Sequence, residues 1–140
     1  MYLLDTNVVS ELRKARSGKA APNVARWADS VDAAALFVSA ITIHELEIGI
    51  LLAGRKDPAK GAMLREWMTR YVLPAFADRV LPVDNAVALR SAALHVPRTR
   101  PLHDAFIAAT ALVHGMVVVT RNTADFQTTG VEIIDPWTTG

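Results

Sequence analysis

Five acids in this chain stand where a sheet of parallel strands could collect them: Asp5, Glu45, Asp84, Asp104 and Asp125. Asp5 directly follows the first apolar run, YLL, and Asp84 ends VLPVD. Glu45 falls one turn into the helical pattern after LFVS, and Asp125 lies in the loop TRNTADF after MVVVT. Asp104 stands near the start of HDAFIAATALVHG, whose Ala105, Ala108, Ala109 and Ala111 would let a helix pack close to a sheet and aim the acid at the same edge. In open parallel sheets ligands bind beyond the carboxyl ends of the strands. Carboxylates gathered there without interleaved Lys or Arg repel and raise one another's pKa unless a cation neutralises them. The chain has no cysteine, so any metal must be held by oxygen or imidazole, and the carboxylates gathered here are hard oxygen donors, which select magnesium or manganese. A carboxylate cage that leaves water on the ion suits phosphodiester hydrolysis, giving metal-assisted strand cleavage. Thr6, Thr120 and Asn122 would supply neutral hydrogen bonds to the carboxylates or to metal-bound water.

Each acid also has a plainer use. Asp5 and Asp84 precede helical patterns and could cap them by accepting from free N–H groups; Asp84 is assigned that role and left out of the site. Asp104 could interact with its own helix dipole, and Asp125 could shape a turn with Asn122. Glu45 is harder to explain this way. It is flanked by Thr42, Ile43, Leu46, Ile48 and Gly49, and a buried carboxylate there would be costly unless something positive met it. Glu47, two residues on, is assigned to the surface.

The elements that must position these residues alternate along the chain: YLLD, a helix from about Thr6 to Arg16, LFVS, the helix TIHELEIGILLAG, VLPVD, the helix NAVALRSAALH, MVVVT, a loop, and VEII. Strand followed by helix is the pattern of right-handed crossovers and a parallel sheet, an α/β domain. Its strands are continuous apolar runs, as burial of both faces requires. Further helices are predicted at Pro22–Ser30, with proline in the first turn, and at about Ala59–Phe76, where Leu64, Trp67, Met68, Tyr71 and Val72 recur at helical spacing. The Trp67 and Tyr71 stripe reads as core or dimer face rather than a nucleotide platform.

At 140 residues and 51% hydrophobic content the chain suits one domain with its own core. No apolar stretch approaches the roughly 20 residues needed to span a bilayer, and no basic signal start precedes the first strand, so a cytoplasmic protein without membrane contact is expected. The net charge of +1 offers no global field for nucleic acid. Basic residues cluster instead at Arg13, Lys14, Arg16 and Lys19, at Arg55, Lys56 and Lys60, and at Arg98 and Arg100. The last pair lies in HVPRTRPLHD, where the prolines should hold the chain extended just before Asp104 and set two guanidiniums to meet RNA phosphates.

Four stretches, LLDTNVVSEL, SAITIHELEIG, HDAFIAATALVHG and VVVTRNTADF, resemble in order and spacing the motifs of the PIN-domain ribonucleases, and among them the VapC-type toxins of bacterial toxin–antitoxin pairs in the branch that includes FitB. The resemblance runs nearly the whole chain. It implies one PIN domain over residues 1–140, a five-stranded parallel sheet with helices on both faces, and a homodimer. It further implies an acidic quartet of Asp5, Glu45, Asp104 and Asp125, with Asp5, Asp104 and Asp125 on a magnesium ion, manganese being possible, and Thr120 and Asn122 as supporting polar residues. The activity implied is endoribonucleolytic, with a cognate antitoxin that alone brings DNA contacts. The alternative is a binding subunit of a DNA-bound repressor complex with weak or conditional cleavage. Haloacid-dehalogenase phosphatases also place an aspartate after strand one, but need a second acid where Asn7 stands, and receiver domains fit no better.

Overall fold

The computed structural model describes residues 1–138. Five short strands, β1 (Tyr2–Leu4), β2 (Leu36–Ser39), β3 (Val80–Leu81), β4 (Val117–Val119) and β5 (Ile133–Ile134), form one parallel sheet in the order β3-β2-β1-β4-β5. Successive strand residues point to opposite faces. Leu3 therefore packs with Ile107, Ala108, Val118 and Phe126 on one side, and Leu4 with Val8, Val38, Leu46 and Ile50 on the other. Both leucines are fully buried, which stabilises the fold by roughly 1.5–3 kcal/mol each. Two-sided burial is what continuous apolar strands anticipated.

On the Leu4 side lie α1 (Thr6–Leu12), α3 (Ala40–Lys56) and α4 (Pro58–Trp67), while α2 (Pro22–Ser30) adds Trp27 against the same cluster. The other side is covered by α7 (Leu102–His114) and the short α8 (Thr123–Phe126), with α6 (Asn85–Leu94) packed on α7. Ala105, Ala108, Ala109 and Ala111 are all 0% exposed, so α7 does lie close on the sheet. Gly115, at φ 67°, ends α7 in the left-handed conformation that glycine adopts without strain and returns the chain to β4.

Three helices differ from the sequence pattern for local reasons. The first stops at Leu12 and continues only as a 3-10 turn, Arg13–Ser17, ended by Gly18. The helix expected over about Ala59–Phe76 is divided: α4 runs into a π-turn at Met68–Val72 before α5 (Leu73–Ala75). Pro74 lacks an N–H and its ring would collide with the carbonyl four residues back, and a widened turn relieves both. The third helix is longer than TIHELEIGILLAG, because Ser39 caps it by accepting from the Ile41 N–H at 3.0 Å. Pairing in β3 covers only Val80 and Leu81, since Pro82 has no donor for a ladder.

The α3–α4 hairpin closes through two glycines. A Cβ on Gly61 would stand 2.3 Å from the Gly54 Cα, whereas a Cβ on Gly54 would stand 3.4 Å from the Gly61 Cα. Gly61→Ala must push the helices apart and is expected to cost about 1–3 kcal/mol in denaturant unfolding. Gly54→Ala meets ordinary contact and gains helix propensity, so it is expected to be neutral or to stabilise by up to about 1 kcal/mol. Equal effects of the two substitutions would show that this crossing does not limit the fold.

Candidate active site

β1 lies between β2 and β4, whose connections leave the sheet in opposite directions. That arrangement opens a crevice at the carboxyl ends of β1 and β4. Asp5 and Thr120 occupy those two ends. The Asp5 N–H donates to the Val119 carbonyl at 2.9 Å and the Thr120 N–H to the Ile134 carbonyl at 3.0 Å, so both residues extend the ladder past its last paired side chains.

Asp5 is 6% exposed and held from three directions. Its carboxylate accepts from the Thr6 N–H at 2.8 Å, from Thr120 Oγ1 at 2.8 Å and from Asn7 Nδ2 at 3.3 Å. It therefore caps α1, as the plainer reading of the sequence allowed, and also faces the crevice. Burial raises the Asp5 pKa above its ordinary value; the bonds from Thr120 and Thr6 oppose this, and the charges of Glu45 and Asp125 add to it. Glu45 is not the buried orphan its neighbours suggested: its side chain is 26% exposed. Its Oε1 accepts from Thr6 Oγ1 at 2.7 Å, and its Oε2 lies 3.9 Å from the exposed His103 Nδ1. Thr6 thus joins two acids, the cap by its backbone and the helix acid by its hydroxyl.

Asp104 projects from the first turn of α7. Burial and the charges of Asp5 and Asp125 push its pKa from 3.8 to about 6, against the pull of His103. Asp125 sits exposed on α8. Asn122 enters through its main chain, its N–H donating to Thr120 Oγ1 at 3.0 Å. Asp84 lies apart as a cap, accepting from the Val87 N–H at 3.0 Å, and Glu47 is paired with Arg65 at 2.5 Å.

Asn7 went unrecognised in the sequence as a part of this site. Its Nδ2 reaches Asp5 and Thr120, both at 3.3 Å, and its Oδ1 accepts from the Arg121 N–H at 3.3 Å, clipping the first acid to the loop after β4. Its only signal was proximity to Asp5; the partners are more than a hundred residues away. Arg100 also differs from expectation. Its Nε donates to the Leu94 carbonyl at 2.8 Å and a terminal nitrogen to Thr128 Oγ1 at 3.1 Å, which folds residues 95–98 into a turn instead of an extended segment. Arg98 is exposed on that turn.

Asp5, Glu45, Asp104 and Asp125 thus share one end of the sheet, close enough for their charges to act on one another. Among the described residues no Lys or Arg is paired with any of them, and no three acids or histidines already converge at ion-ligating spacing. The donor set of carboxylates and hydroxyls, under mutual repulsion, is the set a hard divalent cation satisfies. Without such a cation, the folded chain keeps a proton on Asp104 between about pH 4 and 6 that the unfolded chain has lost. Stability from this group is therefore present at low pH and lost as pH rises through that window. Asp104→Asn is expected to raise metal-free stability at pH 7 by about 1 kcal/mol, after allowance for partial solvent screening, with the gain shrinking as pH falls toward 4 and vanishing below it. Unfolding curves at the two pH values measure this; a variant destabilised at pH 7 would show that the carboxylate is favourably paired.

The PIN domain family model matches residues 2–131. VapC ribonuclease Y4jK of Sinorhizobium fredii is 39% identical over 142 residues, covering 98% of each chain. Toxin FitB of Neisseria gonorrhoeae is 38% identical over 144 residues, covering 98% of this chain and 99% of the relative. Among solved structures, FitAcB from Neisseria gonorrhoeae superposes with a TM-score of 0.88 at 35% identity over 99% of both chains. FitAB bound to an IR36 DNA fragment gives 0.84 at 36% identity, over 98% of this chain and 96% of the other. The shared length, the five-stranded parallel sheet and the acids at its carboxyl edge agree: this chain belongs to the PIN domain family.

Proposed function

We propose that this chain is a divalent-metal-dependent endoribonuclease and the toxin of a toxin–antitoxin pair. The observation that carries the reading is the group of four carboxylates at the sheet's switch point, unpaired with any Lys or Arg among the described residues, where burial first and the neighbouring charges second push the Asp104 pKa to about 6. The names of the relatives, a VapC ribonuclease and a FitB toxin, support it.

Asp5, Asp104 and Asp125 would hold magnesium or manganese. Such an ion supplies activation of water and stabilisation of the leaving oxygen. Thr120 and Asn7 keep the Asp5 carboxylate aimed at the crevice. Thr6 holds Glu45 by one oxygen and leaves Oε2 to take a proton from attacking water. Asn122 fixes the Thr120 hydroxyl through its N–H. Arg98 is free to meet RNA phosphate, whereas Arg100 positions the turn that carries it.

Partners follow from the same reading. The apolar side chains Ile48, Leu51 and Leu52 of α3 and Met63 of α4 are 42–60% exposed and give a homodimer a face to bury. A cognate antitoxin would block the site and carry the complex to DNA, as FitAB is seen on DNA. Among the described residues no helix is long and apolar enough to cross a membrane; work in the cytoplasm, where RNA and antitoxin are at hand, fits the proposed role.

The test is cleavage of an end-labelled single-stranded RNA by the purified chain. Cleavage should vanish in EDTA and return with excess magnesium or manganese. Persistent cleavage in EDTA would sink the metal mechanism, and intact RNA under every metal would sink the nuclease.

A further inference from the structure

Several cations on the α1–α4 side of the molecule have partners. Lys14 pairs with Glu11, Arg65 with Glu47 and Arg70 with Glu66, while Arg16 lies 3.7 Å from the centre of the Tyr71 ring. Arg13 is different. It follows α1 directly and is half-buried, and among the described residues no hydrogen bond or ion pair reaches its guanidinium. A guanidinium carries five donors, which here are left to water or to an incoming acceptor such as an anion.

Arg13 lines a groove of about 300 Å³ together with Thr6, Glu45, Lys60 and Trp67 and with the apolar Leu46, Ile50 and Leu64. Thr6 and Glu45 belong to the acid cluster, so the groove opens directly from the crevice. Lys60 stands exposed on α4 and, like Arg13, has no side-chain partner among the described residues. One end of the groove therefore carries an acid of the cluster, and its largely apolar lining includes two cations without partners among the described residues and Trp67.

We propose that this groove carries single-stranded RNA away from the scissile phosphate, with Arg13 and Lys60 binding phosphates and Trp67, which packs one side on the core, turning its remaining exposed surface to a base. The inference rests on the nuclease reading of the acids and assigns that site a substrate path. Charge complementarity selects a polyanion, and an aromatic surface beside cations is how single strands are held without sequence-specific contacts. Strand binding also accounts for cations beside an acid cluster that would otherwise repel RNA.

Binding and cleavage are measured separately. Anisotropy of a fluorescent 12-nucleotide single-stranded RNA, with calcium replacing magnesium, is followed against salt for the parent, Arg13→Ala/Lys60→Ala, Arg13→Lys, and Arg90→Ala, an exposed charge on α6. The double variant should bind about tenfold more weakly, with a log–log salt slope shallower by roughly 1.4, the loss of two single-strand phosphate contacts. Arg13→Lys should keep most of the affinity, and Arg90→Ala should match the parent. Weakened binding in a chain that cleaves no RNA would support the groove and remove the nuclease reading. Magnesium-dependent cleavage with unchanged affinity and slope in the double variant would overturn the groove and leave the nuclease standing. A parent that binds no RNA would overturn the groove. So would unchanged RNA affinity accompanied by lost antitoxin binding, which would assign Arg13 to an acidic protein partner.

Discussion

Asp5→Asn should reduce RNA cleavage on the order of a thousandfold, about 4 kcal/mol of transition-state stabilisation, while the chain remains folded. Asp5 is the most enclosed of the four acids, at 6% exposure, and among the described residues the one fixed by three donors, two from the residues that follow it and one from Thr120 at the end of β4. Its carboxylate is therefore the rigid member around which Asp104 and Asp125 would close. Asparagine keeps the shape and the bond from the Thr6 N–H but removes the charge, and places an NH2 where Thr120 and Asn7 now donate. Stability should move little, by about 1 kcal/mol either way, since relief of a buried charge and its repulsion offsets poorer hydrogen bonding. Cleavage assays, magnesium titration and unfolding curves on the same preparation separate the terms. A folded variant with full activity would remove Asp5 from the site, and a large stability loss with retained activity would leave it only as the cap of α1.

Placement of the acids was legible because a parallel sheet sends every strand in one direction, so residues that follow apolar runs collect at one edge whatever the details of packing. That logic located Asp5, Asp125 and Thr120, and the small face of α7 added Asp104. Asp84 was equally legible as a cap, because an apolar helical pattern begins immediately after it. Glu45 was found for a partly mistaken reason: its flanking residues suggested deep burial, but the side chain sits at the crevice and a threonine hydroxyl satisfies it. Asn7 could not be assigned, because its role lies in bonds to Thr120 and Arg121 that only the β1–β4 pairing creates. Periodicity likewise showed that Leu64, Trp67, Met68 and Val72 face one cluster, but it wrongly included Tyr71, which is exposed beneath Arg16, and could not show the π-turn that accommodates Pro74. The two arginines of HVPRTRPLHD look alike in sequence, and only the carbonyl of Leu94 and the hydroxyl of Thr128 distinguish the tethered one from the free one.

Expression of this chain alone is expected to arrest growth, and a cognate antitoxin is expected to reverse the arrest by placing a cation among the acids. The arrest follows from unchecked RNA cleavage. The form of inhibition follows from electrostatics: four carboxylates that repel one another, with Asp104 held near pH 6, attract whichever cation fits among them. An arginine from a partner can satisfy carboxylates with several charge-assisted hydrogen bonds, and a lysine can do so as a point charge. Either would compete with magnesium for the same oxygens. Competition has a measurable signature, because a ligand that must displace another loses apparent affinity in proportion to the competitor's concentration above its own Kd. Each tenfold increase in free magnesium in that range should therefore raise the apparent inhibition constant about tenfold, and replacing the antitoxin's inserted basic residue by glutamine should abolish the dependence. Equal inhibition at every magnesium concentration by an antitoxin whose basic residues are dispensable would show that it acts by covering the RNA path or distorting the dimer, leaving the acids free to keep their metal.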